Sequence, residues 1–405
     1  MKGSMSEETH NAKIAILVFG DLESDPRVER EAAALAGTGY TVRIFALRRD
    51  DLPDFEQREG FEIIRCADFS TAGTTRPLKK WRQLRRRRDD YLEALSAWKP
   101  SVIQACDADT LIIADRGASL LGVPYVFDAH ELYSDMLKPY GWSGSAPVQA
   151  YWRRIEHRLI PKAARVLTVS EPLAEVLKER YGVEAVVQHN VPVLRPIEMS
   201  GRLRGKLGLG DGELIVLYQG VLNAGRDLFH IVEVFHDETR AHLVIQGFGP
   251  FEAELKERVL QLGLESRVHL MGRISADELH SYACEATFGI IGSNGLTLQD
   301  HVGAPNKFFS YLMAGLPVLG ADIPFLRQVI EGQRVGFCYT AGDIASLKHA
   351  LSEMVTLALE AQTDLQGAGE YLKMAARARH LAETRYNWEA EKHILLDLYE
   401  EVLAS

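Results

Sequence analysis

Short apolar runs that end in small or polar residues, each followed by a helix-like stretch, recur along almost the whole of this chain. "KIAILVFG" (13–20) leads into "DPRVEREAAALAGTG", and "YTVRIFAL" (40–47), "SVIQACDAD" (101–109), "PYVFDAH" (124–130) and "ARVLTVS" (164–170) repeat the pattern. Such alternation predicts a parallel α/β sheet. A second set follows in "LIVLYQG" (214–220), "AHLVIQGFG" (241–249), "RVHLMGR" (267–273), "TFGIIGS" (287–293) and "PVLGAD" (317–322). The stretch between the sets, rich in Pro, Gly and basic residues, reads as a linker. At 405 residues the chain has room for two or three domains. The simplest assembly is an α/β protein of two Rossmann-like domains with parallel sheets facing across a cleft. We place a tag remnant and disordered start at 1–12, with Met5 marking "MKGS" as the remnant, and a first domain at 13–192. A linker at 193–212, a second domain at 213–385 and an amphipathic helix at 386–405, able to cross back to the first domain, complete the division.

Charge and cysteine usage remove several classes of function. A net charge of -10 argues against nucleic-acid binding, which needs a basic field. Four scattered cysteines without a C-x-x-C pair argue against a disulfide framework or structural zinc. No apolar run reaches the roughly 18 residues of a membrane span, so a cytoplasmic location is expected. One segment opposes the acidic balance: "RPLKKWRQLRRRR" (76–88) holds eight basic residues in thirteen. An apolar stripe of Leu78, Trp81, Leu84, Tyr91, Leu95 and Trp98 runs beside the cluster. Lys79, Lys80, Trp81 and Arg85 are therefore candidates for contact with an acceptor or an anionic membrane surface, giving a peripheral position at the inner face of a membrane. The alternative is a solvated helix whose stripe faces its own core.

In open parallel sheets ligands collect beyond the carboxyl ends of the strands, so the chemistry is sought there. A nicotinamide site would need G-x-G-x-x-G after the first strand, where "GDLESDPRVER" stands instead, and no P-loop occurs. "DAD" (Asp107 to Asp109) has the form of a metal-binding D-x-D but lacks other hard ligands nearby in sequence. His230 and His236, six apart, face different sides of a helix with Glu233 between them, so packing or surface roles are expected and no metal site is assigned. "GVLNAGRDLF" brings Arg226 to an expected helix start, where backbone N–H groups and the guanidinium would favour an anion; pairing with a local carboxylate is the alternative. Asn306 and Lys307, ahead of the helix in "APNKFFSYLMAGLPVL", present the same physics to a diphosphate or ribose. Gly247 and Gly249 in "QGFGP" offer a small-residue turn to a flat base, and Arg273 closes the neighbouring strand. In "FDAHELYSD", His130 beside Asp128 and Glu131 is placed to orient a sugar hydroxyl or move a proton, or else to be a hydrogen-bonded edge histidine.

Taken in order, "SDPRVEREAAALAGTGYTV", "VFDAHELY", "RVLTVSEPLAEVLKERYGVEAVVQHNVP", "YQGVLNAGRDL", "LVIQGFGPFEAEL", "NKFFSYLMAGLPVLGADIP" and "YNWEAE" resemble the retaining GT-B glycosyltransferases of glycosyltransferase family four. The resemblance runs from about residue 13 to the end. It implies transfer of a sugar from a nucleotide diphosphate donor to an acceptor hydroxyl, with retained anomeric configuration and no bound metal or other cofactor. It further implies that the C-terminal domain holds the donor and the N-terminal domain most of the acceptor, in a cleft that closes on both. Arg226 falls where the family places a basic residue on the donor phosphates, His130 where a histidine approaches the transferred sugar, and Gly20 in the loop that nears the diphosphate.

Two departures accompany the resemblance. The family's Glu-x7-Glu, whose second Glu grips the ribose, reads here as Val302 and Ser310, and Val221 occupies the place of a frequent phosphate-binding Arg. Asp300 or another acid substituting, a differently bound donor, and a non-catalytic nucleotide-sugar-binding or regulatory protein are the three readings of that loss.

Overall fold

The computed structural model describes residues 12–22, 26–68, 77–135, 146–295, 297–363 and 369–404, with the side chains of 68, 77–81, 276 and 277 outside that set. The expected tag and disordered start thus lie, up to residue 11, outside the described residues. Among the described residues two compact units emerge, one within 12–134, 146–188 and 392–404, the other within 189–391 together with Asp135.

The first unit carries strands β1 (Lys13–Leu17), β2 (Thr41–Arg48), β3 (Phe55–Gln57), β4 (Phe61–Asp68), β5 (Val102–Cys106), β6 (Tyr125–Ala129), β7 (Arg165–Thr168) and β8 (Ala185–Val187). They lie in the order β3-β4-β2-β1-β5-β6-β7-β8, parallel except for β3 against β4. Helices α1 (Pro26–Gly37), α2 (Pro77–Trp98), α3 (Ala108–Leu121), α4 (Ala146–Leu159) and α5 (Glu171–Tyr181) alternate with the strands. Ile14 stands in register between Val42 and Val102, and all three are buried. This is why β1 reads as an apolar run rather than an alternation: parallel strands are covered on both faces.

The second unit carries α6 (Arg202–Leu207), β9 (Leu214–Gln219), α7 (Leu228–Val234), β10 (Ala241–Gln246), α8 (Glu252–Gln261), β11 (Val268–Gly272), α9 (Ala276–Cys284) and β12 (Phe288–Ile291). It continues through α10 (Leu298–Val302), α11 (Asn306–Met313), β13 (Val318–Ala321), α12 (Pro324–Ile330), β14 (Gly336–Tyr339), α13 (Ile344–Thr363) and α14 (Glu370–Thr384). The sheet order is β11-β10-β9-β12-β13-β14, all parallel. The stretch expected as linker holds α6, whose Leu203 is buried in this unit's core. The last helix, α15 (Trp388–Ala404), begins in the second unit and continues with Lys392–Ser405 in the first, where the Tyr399 hydroxyl donates to Gln104 Oε1 at 2.5 Å.

In each sheet the strand order reverses beside one central strand. β1 lies between β2 and β5, and β9 lies between β10 and β12. Connections leave these strands in opposite directions, which opens a crevice at their carboxyl ends. Residues 18–22 and 107–109 border the first crevice, and residues 220–226 and 292–295 the second.

Four strands are not visible as strands in the sequence pattern. β3, β8 and β14 have only three or four residues, too few for a periodic signal. β4 contains Arg65, which is buried and whose Nη1 donates to the Pro53 carbonyl at 2.8 Å and to Glu56 at 3.2 Å, while its Nε has no partner among the described residues.

Candidate functional site

The second unit gathers two cations at the end of β9. Lys307 lies in the first turn of α11, not ahead of it, and its Nζ stands 3.6 Å from the centre of the Tyr218 ring. That nitrogen is buried and has no hydrogen-bond partner among the described residues. Burial, and then the charge of Arg226, push the ammonium well below its ordinary range. Arg226 itself ends a three-residue turn, Ala224–Arg226, and is separated from the seven-residue α7 by Asp227 in a left-handed conformation. Arg226 thus stands directly before the start of α7, on a turn held by Asn294 Nδ2 donating to the Ala224 carbonyl at 2.5 Å. Arg226 Nη1 lies 3.9 Å from Asp300 Oδ1, so the local carboxylate exists as well.

Asp300, the acid expected as a substitute for the absent ribose-binding Glu, is buried and faces Arg226. Its side chain is 3% exposed and accepts from the Thr297 hydroxyl at 2.8 Å while facing Arg226. Ser310 and Asn306, one helical turn apart, share the open stripe of α11, whereas Phe308, Phe309, Tyr311, Leu312 and Met313 are buried. Val302 is buried, so the first of the two absent carboxylates falls on a core position and the second on an accessible one. Val221 is exposed at the end of β9.

Gly247 and Gly249 have a packing reason for being glycine. A Cβ at Gly247 would overlap the Gly220 carbonyl, and one at Gly249, whose φ is 156°, would overlap the backbone of Leu222. The turn after β10 is therefore pressed against the turn after β9. Beside it the Arg273 guanidinium lies 3.8 Å from the centre of the exposed Phe248 ring, forming a flat cationic and aromatic surface. Tyr218 and Phe248 were not singled out from the sequence, where they read as ordinary strand and turn aromatics.

In the first unit His130 sits at the end of β6 between two carboxylates. Its Nε2 is 2.8 Å from Asp128 Oδ2 and its Nδ1 is 3.6 Å from Asp107 Oδ2. Burial alone would lower its pKa, but Asp128 and then Asp107 raise it to about 10. Asp128 is fully buried, and although burial would raise it, Arg27 and His130 hold it below the ordinary carboxylate range. Arg27 Nη2 donates to Asp128 Oδ1 at 2.9 Å and Arg27 Nε donates to Glu31 Oε1 at 2.8 Å. Gln104 Nε2 donates to Glu31 Oε2 at 2.8 Å. The i,i+4 spacing of Arg27 and Glu31 in "RVERE" was readable, but its meeting with Asp128 was not.

"DAD" serves the same corner. Asp107 Oδ1 accepts from the backbone N–H groups of His130 and Glu131 at 3.1 and 3.3 Å. Asp109 Oδ2 accepts from the Tyr133 hydroxyl at 3.0 Å, and burial followed by Asp107 pushes its carboxyl well above the ordinary range. Gly20 lines a cavity of about 160 Å³ with Asp107, Asp109 and Tyr133.

The basic stretch lies on α2, whose Lys79, Lys80 and Trp81 side chains are outside the described residues. Arg85 is exposed, with Asp89 4.0 Å away. The later half of the stripe turns inward: Tyr91 and Leu95 are buried, and the Tyr91 hydroxyl donates to the Val18 carbonyl at 2.6 Å. His230, Glu233 and His236 go to separate partners, Asp227, Arg258 and Asp237.

The sequence descriptions of two domain families match these units. Residues 24–193 match "Glycosyl transferase 4-like domain" and residues 200–371 match "Glycosyl transferases group 1". The alpha-monoglucosyldiacylglycerol synthase of Streptococcus pneumoniae is 28% identical over 171 residues, 40% of this chain and 35% of that protein. The mannosylfructose-phosphate synthase of Agrobacterium fabrum is 26% identical over 282 residues, 61% of each chain as aligned. The chain thus spans about a third to three fifths of the length of these curated relatives. Anabaena HepE, solved with UDP and glucose, superposes with a TM-score of 0.68 at 16% identity over 98% of this chain and all of that one, which supports the fold. Two parallel-sheet α/β units, and sequence matches that between them take in most of both, assign this protein to the GT-B glycosyltransferases of glycosyltransferase family four.

Proposed function

We propose that the protein is a retaining, metal-independent hexosyltransferase that moves a sugar from a nucleotide diphosphate sugar to an acceptor hydroxyl. The observation that carries the donor half is Lys307, whose buried Nζ has no hydrogen-bond partner among the described residues and lies beside the charge of Arg226. A diphosphate supplies the missing anion, and charge-assisted bonds to both cations offset the cost of keeping Lys307 out of water. As the bond from the anomeric carbon to the phosphate oxygen breaks, negative charge grows on the departing diphosphate. Two fixed cations stabilise that charge, which is the task a metal would otherwise perform. The acceptor oxygen forms the new bond on the same face, and its proton passes to the departing phosphate. No side-chain base is needed, in keeping with a His130 that holds its proton at neutral pH and engages carboxylates through both nitrogens.

On the acceptor side, the pneumococcal relative is named for a glucosylated diacylglycerol, which supports an acceptor carried on a lipid. A polysaccharide or natural-product hydroxyl is the other class. The basic stretch of α2 supports a cytoplasmic enzyme held at the inner face of a membrane, through the earlier half of the helix, since the later half packs inward. No described helix is long and apolar enough to cross a membrane. The test is donor hydrolysis and thermal shift across UDP-, GDP-, ADP- and TDP-sugars with wild type, Arg226→Ala and Lys307→Met. One donor stabilising and being hydrolysed by the wild type alone supports the reading. Stabilisation without hydrolysis or transfer to any acceptor would make the protein a binder.

A further inference from the structure

The arginines of α2 that no step of sugar transfer uses line a separate cavity. It measures about 500 Å³, within the range of small-molecule sites, and lies among α2, α3 and α4 of the first unit. Arg88 reaches it from α2, Arg116 from α3 and Arg158 from α4, with Arg85 at the rim. Arg88 decides the character of the site. It is only 7% exposed, and among the described residues its one hydrogen bond goes to the Tyr151 hydroxyl at 3.3 Å while its buried Nε has no partner. No carboxylate pairs with it among the described residues.

The two acids in the wall do not cancel this charge. Asp115 is taken by Lys162 at 2.7 Å, and Asp89 is exposed at 4.0 Å from Arg85. Asp89 thus answers Arg85, and among the described residues no carboxylate lies at ion-pair distance from Arg88, Arg116 or Arg158. A buried guanidinium without a counter-charge is costly, and the planar fork of arginine suits phosphate oxygens. Ile112, Ile155 and Leu159 complete the lining with apolar surface.

We propose that this cavity is a binding site for a phosphate group carried on a partly apolar stem, distinct from the donor site at Lys307. The phosphate sits against Arg88, Arg116 and Arg158, and the stem lies on the isoleucine side. A soluble phosphate ester and a phospholipid headgroup share this chemistry. The two sources are separated by the probes: glycerol 3-phosphate followed by calorimetry, and phosphatidylcholine vesicles with and without phosphatidylglycerol followed by sedimentation.

Three variants of the full chain are used: Arg88→Met, the double exposed change Arg116→Ala with Arg158→Ala, and Lys307→Met as the donor-site control. Saturable glycerol 3-phosphate binding that weakens at least about tenfold in the first two and persists in Lys307→Met is the expected result. If only phosphatidylglycerol vesicles bind, with the same pattern, the occupant is a headgroup and the site stands. If Arg88→Met fails to fold, the double variant decides alone, since its changes are at exposed positions. The proposal is overturned if neither probe binds the wild type, or if the folded double variant binds both as tightly as the wild type does.

Discussion

The carboxylate of Asp128, with no exposed surface, lies 2.8 Å from Nε2 of His130. Its other oxygen takes Arg27, so one buried acid ties the end of β6 to α1. His130 is therefore an imidazolium at neutral pH, a hydrogen-bond donor whose basic form is scarce. Its folded pKa of about 10 stands above the ordinary 6.5. The stabilisation it contributes is fully present below about pH 6.5 and is lost as pH rises through 10. Urea unfolding at pH 6, 8 and 10 should show a decline in the wild type that is smaller in His130→Gln; equal slopes would rule the assignment out.

Asp128→Asn breaks a buried ion pair and leaves Arg27 with Glu31 alone. We expect a loss of about 3–5 kcal/mol in stability. In whatever folded protein remains, imidazole NMR titration should place His130 well below its wild-type value. An unchanged titration would mean that Asp107 alone sets the shift.

Lys307→Met should separate stability from binding. Removing an unpaired buried cation should leave the ligand-free protein as stable as wild type or more stable by about 1 kcal/mol, while donor binding weakens at least about tenfold. The depressed folded pKa adds a sign. Between that value and the ordinary 10.5 the unfolded chain holds a proton that the folded chain lacks, so Lys307 makes stability rise with pH. A bound diphosphate raises the pKa again, so in the pH range between the free and the donor-bound values donor binding takes up a proton. Calorimetry in buffers of different ionisation enthalpy measures it, and zero uptake that is unaltered in Lys307→Met would contradict the assignment.

Restoring the two absent carboxylates should give opposite results. Ser310→Glu places an acid on the open stripe of α11 and should strengthen donor binding by about 1–3 kcal/mol without loss of stability. Val302→Glu buries an acid in the core and should cost about 2 kcal/mol or more in stability. Thermal unfolding and donor titration of each variant check both, and a Ser310→Glu protein with unchanged affinity would show that the ribose lies elsewhere.

Gly247→Ala should be destabilised by about 1–3 kcal/mol, because its Cβ must displace the Gly220 carbonyl. The same displacement moves the turn carrying Arg226, so donor affinity should fall in step with stability. Loss of stability with unchanged affinity would show that the two turns are uncoupled.

The strand and helix alternation, the two-domain organisation and the glycosyltransferase family were legible in the residues, because buried parallel strands demand unbroken apolar runs and the turn chemistry at their ends is local. Arg226, Lys307 and His130 could be nominated on the same local grounds. Their states could not. Whether Lys307 has a partner, whether Asp300 is open to a ribose or turned toward Arg226, and whether His130 can accept a proton depend on burial and on charges far away in sequence. Asp128 meets Arg27 across 101 positions, and the arginines of "RPLKKWRQLRRRR" become a cavity only when α3 and α4 pack beside them. Sequence alone determined which residues carry charge and which strand ends present them. Tertiary structure decided which of those charges are paired, because desolvation and Coulomb energies depend on distances that only packing sets.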